Sequence, residues 1–155
     1  MNICSQPEQN KVEEFKDEFS FLSNFYPAPL MYRGIAYPTS EHAYQAAKCL
    51  DDNSRLNISI LGTPGQSKRY GRTVALRPDW EDVKLEIMEN IVRAKFMQNP
   101  SLRVKLLLTE DLILEEGNTW GDTYWGICGT TGKNHLGKIL MKVREDLKST
   151  IKERT

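Results

Sequence analysis

Two carboxylates stand out by their surroundings. Glu41 follows Pro38-Thr39-Ser40 and precedes His42, and Asp122 sits inside Gly117-Asn118-Thr119-Trp120-Gly121-Asp122-Thr123-Tyr124-Trp125-Gly126. A held carboxylate can stabilise a nearby positive charge, activate water or carry a proton. The second stretch packs two of the chain's three tryptophans and a tyrosine into six residues, interleaved with glycine. Large rings in an irregular loop either plug it onto the core or line a pocket, and glycine lets backbone approach a ligand closely. The pocket reading is favoured for Asp122 and Trp125, while Trp120 reads as packing or rim. For Glu41 the plain alternative is a helix-start carboxylate facing the positive end of the helix dipole. His42 points to a different face from Glu41 and reads as a partly buried, hydrogen-bonded histidine.

Cations complete the inventory. Lys68, Arg69, Arg72 and Arg77 lie in a stretch without an acid between Gln66 and Pro78. Such a run is usually a solvated face; read functionally it holds phosphate, with Arg72 the best-placed member. Lys133, His135 and Lys138 surround the start of the last helix, where free amides can also receive an anion. Gly129-Thr130-Thr131-Gly132-Lys133-Asn134 lacks the GxxxxGK[ST] spacing, which excludes a P-loop nucleotide triphosphatase. Separated acids, stacking rings and phosphate-binding cations together fit cleavage of a bond between ribose and a flat base. That reaction passes through a sugar cation that a carboxylate stabilises, and a second acid can assist the leaving group. The same groups would also serve a catalytically silent module that binds ADP-ribose or another nucleotide.

The elements that must position these residues are legible from patterning. Leu30–Tyr32 and Ile35–Tyr37 flank a turn at Arg33-Gly34, within a stretch from Phe15 to Tyr37 that reads as short strands, and Ser23-Asn24-Phe25-Tyr26 forms a loop leading in. Thr39 or Ser40 caps an alanine-rich helix to about Leu50, and a short helix follows over Asp52 to Leu61. Thr63-Pro64-Gly65-Gln66 carries a capping box, with a stop at Gly71. Asp79 to Gln98 is the strongest amphipathic segment, with Trp80, Val83, Ile87, Ile91 and Ala94 on one stripe. Asn99-Pro100 starts another helix to about Thr109, Leu112–Leu114 fits a buried strand, and a last helix runs from Asn134 to about Ile151. Residues 117–134 form a long loop of the kind that carries function. The sum is a mainly helical α+β fold with a small sheet: a polar, frayed start over residues 1–12, then a single domain over 13–152.

The chain's 155 residues suit one domain, and 39% hydrophobic with 27% charged residues excludes global disorder. The 21 basic residues balance 21 acidic ones, which argues against nonspecific coating of nucleic acid or anionic membrane. Cys4, Cys49 and Cys128 are an odd set without CxxC spacing, so reduced thiols are expected, and with only His42 and His135 beside them no metal site is expected. The N-terminus lacks the pattern of a secretory signal, and no apolar run is long enough to span a membrane. A cytoplasmic protein is the expectation, with no membrane association and no obligate protein partner.

In order along the chain, Phe21-Leu22-Ser23-Asn24-Phe25, Tyr37-Pro38-Thr39-Ser40-Glu41-His42, Tyr44-Gln45-Ala46, Asp79-Trp80, Lys84, Met88, Ala94-Lys95-Phe96, Asp122-Thr123-Tyr124-Trp125-Gly126, and Gly132-Lys133-Asn134 followed by Leu136-Gly137 resemble the NADAR family of YbiA-like N-glycosidases. The resemblance covers about Phe15 to Leu147. It departs at Ala43, Cys49 and Ile127-Cys128. It implies a YbiA-like fold and an N-glycosidase that uses neither metal nor organic cofactor. Implied substrates are phosphoribosylated aminopyrimidine intermediates of riboflavin synthesis, or nitrogen-linked ADP-ribose, including ADP-ribosylated guanine in nucleic acid. It also implies that Glu41 and Asp122 are the functional acids and that Trp80 and Trp125 contact the ligand; for Trp80 this displaces the core position suggested by periodicity. Ser23 and Asn24 are further hydrogen-bonding candidates, with Arg72 and Lys133 as phosphate contacts.

Overall fold

Helix α1 (Ser40–Ala47) is buried at every residue, and the rest of the molecule is arranged around it. In this computed structural model, which describes residues 10–154, the helix starts where Thr39 caps it: the Thr39 hydroxyl accepts the His42 N–H at 3.2 Å. Ala43, Ala46 and Ala47 favour the helix and let its neighbours approach closely. Those neighbours are α2 (Asp52–Ser59), α3 (Pro64–Gly71) and α4 (Trp80–Gln98). The capping box at the start of α3 is present in both halves, Gln66 N–H to Thr63 and Thr63 N–H to the Gln66 side chain.

Helix α4 buries Ile87, Met88, Ile91, Val92 and Phe96 against α1, α5 (Pro100–Leu108) and the last helix, α6 (His135–Glu153). On α6 the buried stripe is Leu136, Ile139, Leu140, Val143 and Leu147, the four-and-three spacing of one helix face. This layer of helices holds the main core.

Strand content is smaller and more divided than the single small sheet expected. Strands β1 (Lys11–Val12) and β4 (Ile113–Leu114) pair in parallel, β2 (Leu30–Tyr32) and β3 (Ile35–Tyr37) form an antiparallel hairpin, and β5 (Gly117–Asn118) pairs in parallel with β6 (Ile127–Cys128). The hairpin turn is the Arg33-Gly34 pair, with φ of 49° and 83°; two left-handed residues give the turn a twist that suits its strands. Two expectations change. Asp17–Leu22 is a 3₁₀ helix, not a strand, and its closing turn brings Asn24 onto the start of α1. Lys11 and Val12 are not frayed, because β4 supplies their hydrogen-bonding partner; Cys4 and the rest of residues 1–9 lie outside the described residues. Cys49 and Cys128 are free thiols, and among the described residues no helix is long and apolar enough to cross a membrane.

Candidate active site

Helix α1 presents Glu41 from a surface with almost no freedom. The Glu41 N–H donates to the Asn24 carbonyl at 3.1 Å, and the Ser40 hydroxyl donates to Asn24 Oδ1 at 2.9 Å. The preceding loop is itself pinned by Lys95, whose fully buried ammonium donates to the Phe21 and Ser23 carbonyls at 2.7 and 2.9 Å. Burial pulls that lysine down to about 7. Glu41 Oε1 accepts the Gln45 side-chain amide at 2.7 Å, one turn along. Gln45 fits only because position 71 is glycine; a Cβ there would overlap its amide oxygen. That oxygen is buried and has no partner.

His42 plays no part in the pocket. Its Nε2 lies 2.9 Å from the Leu61 carbonyl, which can only accept, so Nε2 carries the proton and Nδ1 accepts the Thr39 hydroxyl at 2.7 Å. Burial lowers its pKa, and the neutral ring ties α1 to the end of α2.

The opposite wall is the loop after β4, and side chains bonded to its own backbone hold it. Asn118 donates to the Asp122 carbonyl at 2.8 Å and accepts the Asp122 N–H at 3.0 Å. Asp122 Oδ1 in turn accepts the N–H groups of Tyr124 and Trp125, at 3.2 and 2.9 Å, a local turn that sets the indole's direction. The Trp125 ring meets Tyr44 of α1 edge-on at 5.5 Å and Tyr124 at 4.8 Å. Asn134, left-handed at φ 52°, accepts the Glu116 N–H at 3.0 Å and donates to the Leu114 carbonyl at 2.9 Å. The strand leading to the loop is thereby tied to the start of α6.

Between the walls lies a cleft of about 800 Å³, within the range of small-molecule sites. Glu41, Glu116 and Asp122 line it, and so do Lys48, Lys68 and Arg72. Phe25, Tyr44, Trp120 and Trp125 provide its rings. Burial pushes Glu41 above the usual carboxylate range; the Gln45 hydrogen bond, Lys68 and Lys48 oppose the rise, and Asp122 adds to it. Glu116 is pushed up to about 7, chiefly by burial and then by Asp122 and Glu41, with Lys68 opposing. Burial lowers the pKa of Lys48; the charge of Glu41 opposes this, and those of Arg72 and Lys68 add to it. A second hollow, under Tyr32, Tyr37, Arg55 and Arg77, has about 10 Å³, room for one water. Among the described residues no group of three or more His, Cys, Asp or Glu is arranged to hold a metal ion.

The fold therefore brings Glu41, Asp122, Trp125, Ser23, Asn24 and Arg72 to one cleft. It does not bring Trp80 or Lys133 to its lining. Trp80 is 5% exposed and packs against Tyr44 with its ring tilted by 51° at 5.2 Å, so the position given by its stripe prevails and it backs the wall. Lys133 lies outside, its ammonium 5.8 Å from the Tyr124 ring, which Lys84 also approaches, at 4.2 Å. Trp120 is the exposed rim. Sequence reasoning passed over Glu116, Lys48 and Gln45. The last two carry a signal, since Glu41, Gln45 and Lys48 recur at helical spacing on one face. Glu116 carries none, because Glu115-Glu116 looks like any solvated acidic pair.

The sequence profile of the NADAR domain matches residues 10–148. The chain is 43% identical over 134 residues to the N-glycosidase YbiA of Shigella flexneri, covering 84% of this chain and 83% of that one. It is 41% identical over 151 residues to a riboflavin biosynthesis protein of Vibrio vulnificus, covering 94% of this chain and 40% of that longer protein. The NMR structure of Escherichia coli YbiA superposes with a TM-score of 0.83 at 37% identity, covering 97% of this chain and 93% of that one.

Proposed function

Because this chain belongs to the NADAR family, we propose that it is an N-glycosidase that hydrolyses the bond between a base and the anomeric carbon of a phosphorylated ribose. The observation that carries this reading is the facing of Glu41, on a rigid helix, and Asp122, on the opposing loop, across a cleft that also holds Lys48, Lys68 and Arg72. Glu41 is the carboxylate that stabilises the sugar cation or takes the proton of the attacking water. Asp122 acts as the orienter: its Oδ1 holds the backbone that aims Trp125, and Trp125 with Phe25 and Trp120 offers faces on which a planar base stacks. Lys48, Lys68 and Arg72 hold phosphate, and Ser23 and Asn24 stand at the same wall.

One relative is named for riboflavin biosynthesis, which supports the ribosylated aminopyrimidine phosphate implied by the family resemblance as the substrate, and an ADP-ribosyl group presents the same ribose and phosphate chemistry. Ribosylaminopyrimidine phosphates, NAD, free ADP-ribose and ADP-ribosylated oligonucleotides are incubated side by side with the protein, and the products are separated by chromatography. Free base and a ribose phosphate are expected from the aminopyrimidine substrate. Tight retention of ligand with no released base from any of the four would overturn the hydrolase and leave a nucleotide-binding module.

A further inference from the structure

Glu116 differs from the other acids of the cleft in having nothing to do structurally. Its backbone is fully engaged: the N–H donates to Asn134 Oδ1, and the carbonyl accepts the Ile127 N–H at 2.9 Å and the Asn118 amide at 3.4 Å. Its side chain lines the cleft and makes no hydrogen bond or ion pair with any described residue. Asp122 uses one oxygen to hold Tyr124 and Trp125, and Glu41 accepts the amide of Gln45. A hydrogen-bond donor favours the ionised form of a carboxyl, whereas burial beside other acids favours the neutral form. Burial raises both; Glu41 has such a donor and is faced by Lys68, Lys48 and Asp122, whereas Glu116 has no donor and is faced by Asp122 from its own loop, Glu41 from α1 and Lys68 from α3. A donor and an extra cation on one of two neighbouring acids and not on the other is the asymmetry that divides acid and base roles in one site.

We propose that Glu116 is the general acid of the cleft, delivering its proton to the nitrogen of the departing base. This assignment rests on the N-glycosidase reading. As the bond between the anomeric carbon and nitrogen breaks, its electron pair goes to nitrogen, and the Glu116 O–H proton joins that nitrogen. Water bonds to the anomeric carbon and yields a proton to the Glu41 carboxylate. Transfer of that proton from Glu41 back to Glu116 through solvent in the cleft restores both groups, so one water is consumed and no other reagent is needed. The raised pKa of Glu116, about 7, keeps a proton available near neutrality.

The test compares two leaving groups. Glu116→Gln is assayed on a ribosylaminopyrimidine phosphate, whose base must be protonated to leave, and on 4-nitrophenyl riboside 5-phosphate, whose phenolate leaves unaided. Loss of about 100-fold or more in kcat on the first with less than about 3-fold on the second is expected, together with loss of the alkaline limb of the kcat/KM profile. Equal losses on both substrates, or none on either, would overturn the assignment. In the unaltered protein, carbon-13 NMR of the Glu116 carboxyl is expected to titrate near 7, and a midpoint at or below the ordinary value of 4.5 would overturn it without recourse to any variant. No turnover of either substrate by the unaltered protein would remove the hydrolase reading itself, an outcome distinct from loss confined to Glu116→Gln.

Discussion

Every residue of α1 is buried, whereas the loop facing it leaves Thr119, Trp120, Gly121 and Thr123 exposed. Both supply carboxylates to the same cleft. The helix fixes Glu41 by packing: alanines on its inner face, Asn24 against its first turn, and Gln45 wedged over Gly71. The loop has no such core and fixes Glu116 and Asp122 through amide side chains, Asn118 and Asn134, bonded to backbone. Packing is short-ranged and dense, so its failure is felt as volume. Hydrogen bonds to irregular backbone fail one at a time, with local opening. The two walls should therefore respond differently to damage.

The largest expected effect is on the helix side and is purely chemical. Glu41→Gln keeps shape and removes charge, so kcat should fall by about 100-fold or more while the melting temperature stays at or above that of the parent. Near-parental turnover in the folded variant would take Glu41 out of the reaction. Gly71→Ala attacks the same acid through packing. The added methyl overlaps Gln45, and a strained core substitution of this kind costs about 1–3 kcal/mol. Thermal unfolding should show that loss together with a fall in kcat of roughly 10-fold, since the donor to Glu41 is displaced. Loss of stability with unchanged kcat would mean that Gln45 does not tune Glu41.

On the loop side the first test is a pH profile. Glu116 has a pKa of about 7 in the fold against about 4.5 when unfolded, so between those values the folded state binds more protons. Stability from this group is complete below the lower value and is lost as pH rises through the upper one. With the cleft's solvent screening allowed for, the loss is of order 1–2 kcal/mol. Glu116→Gln should therefore melt higher than the parent at pH 8 and show no such advantage at pH 4, as read by calorimetry. A variant less stable than the parent at pH 8 would mean that the carboxylate is better accommodated than its surroundings indicate. The smallest effect is expected from Asn118→Ala, which strips partners from the Asp122 backbone. Hydrogen exchange should quicken over residues 119–125 and KM should rise by roughly 3-fold, with the helix amides of α1 unaffected. Uniform quickening across both walls would erase the contrast between them.

The same contrast explains what could be read from sequence. Helix α3 was legible because Thr63, Pro64 and Gln66 each satisfy a local requirement of a helix start, and α4 because its apolar residues repeat with the helix period. Trp80 obeys that period and backs the wall, even though resemblance to the family places it against ligand. Asp122 was legible from its unusual neighbours, and Glu41 from the family resemblance, since by itself it reads equally as a helix-start carboxylate. Glu116 was not, because its burial comes from residues far along the chain: Asn134 and Ile127 on one side and the strand at Val12 on the other. Asp17–Leu22 was misread as extended because a 3₁₀ turn has no apolar repeat long enough to distinguish it. Lys133 follows Gly132 at the start of α6, as expected, but the loop turns its ammonium toward Tyr124 and away from the cleft.

The strand β1 bears on how the protein tolerates attachment. The Glu115 N–H donates to the Val12 carbonyl at 2.9 Å, and the Gly117 N–H donates to the Glu13 carbonyl at 3.0 Å, so Glu116 sits between two rungs of a ladder whose other upright is the N-terminal segment. A handle or neighbouring domain fused close ahead of Asn10 pulls along that upright and tilts the acid between the rungs. One fused beyond the end of α6 hangs from a helix that supplies no residue to the cleft lining. Immobilisation through the C-terminal end is therefore the gentler way to tether this protein.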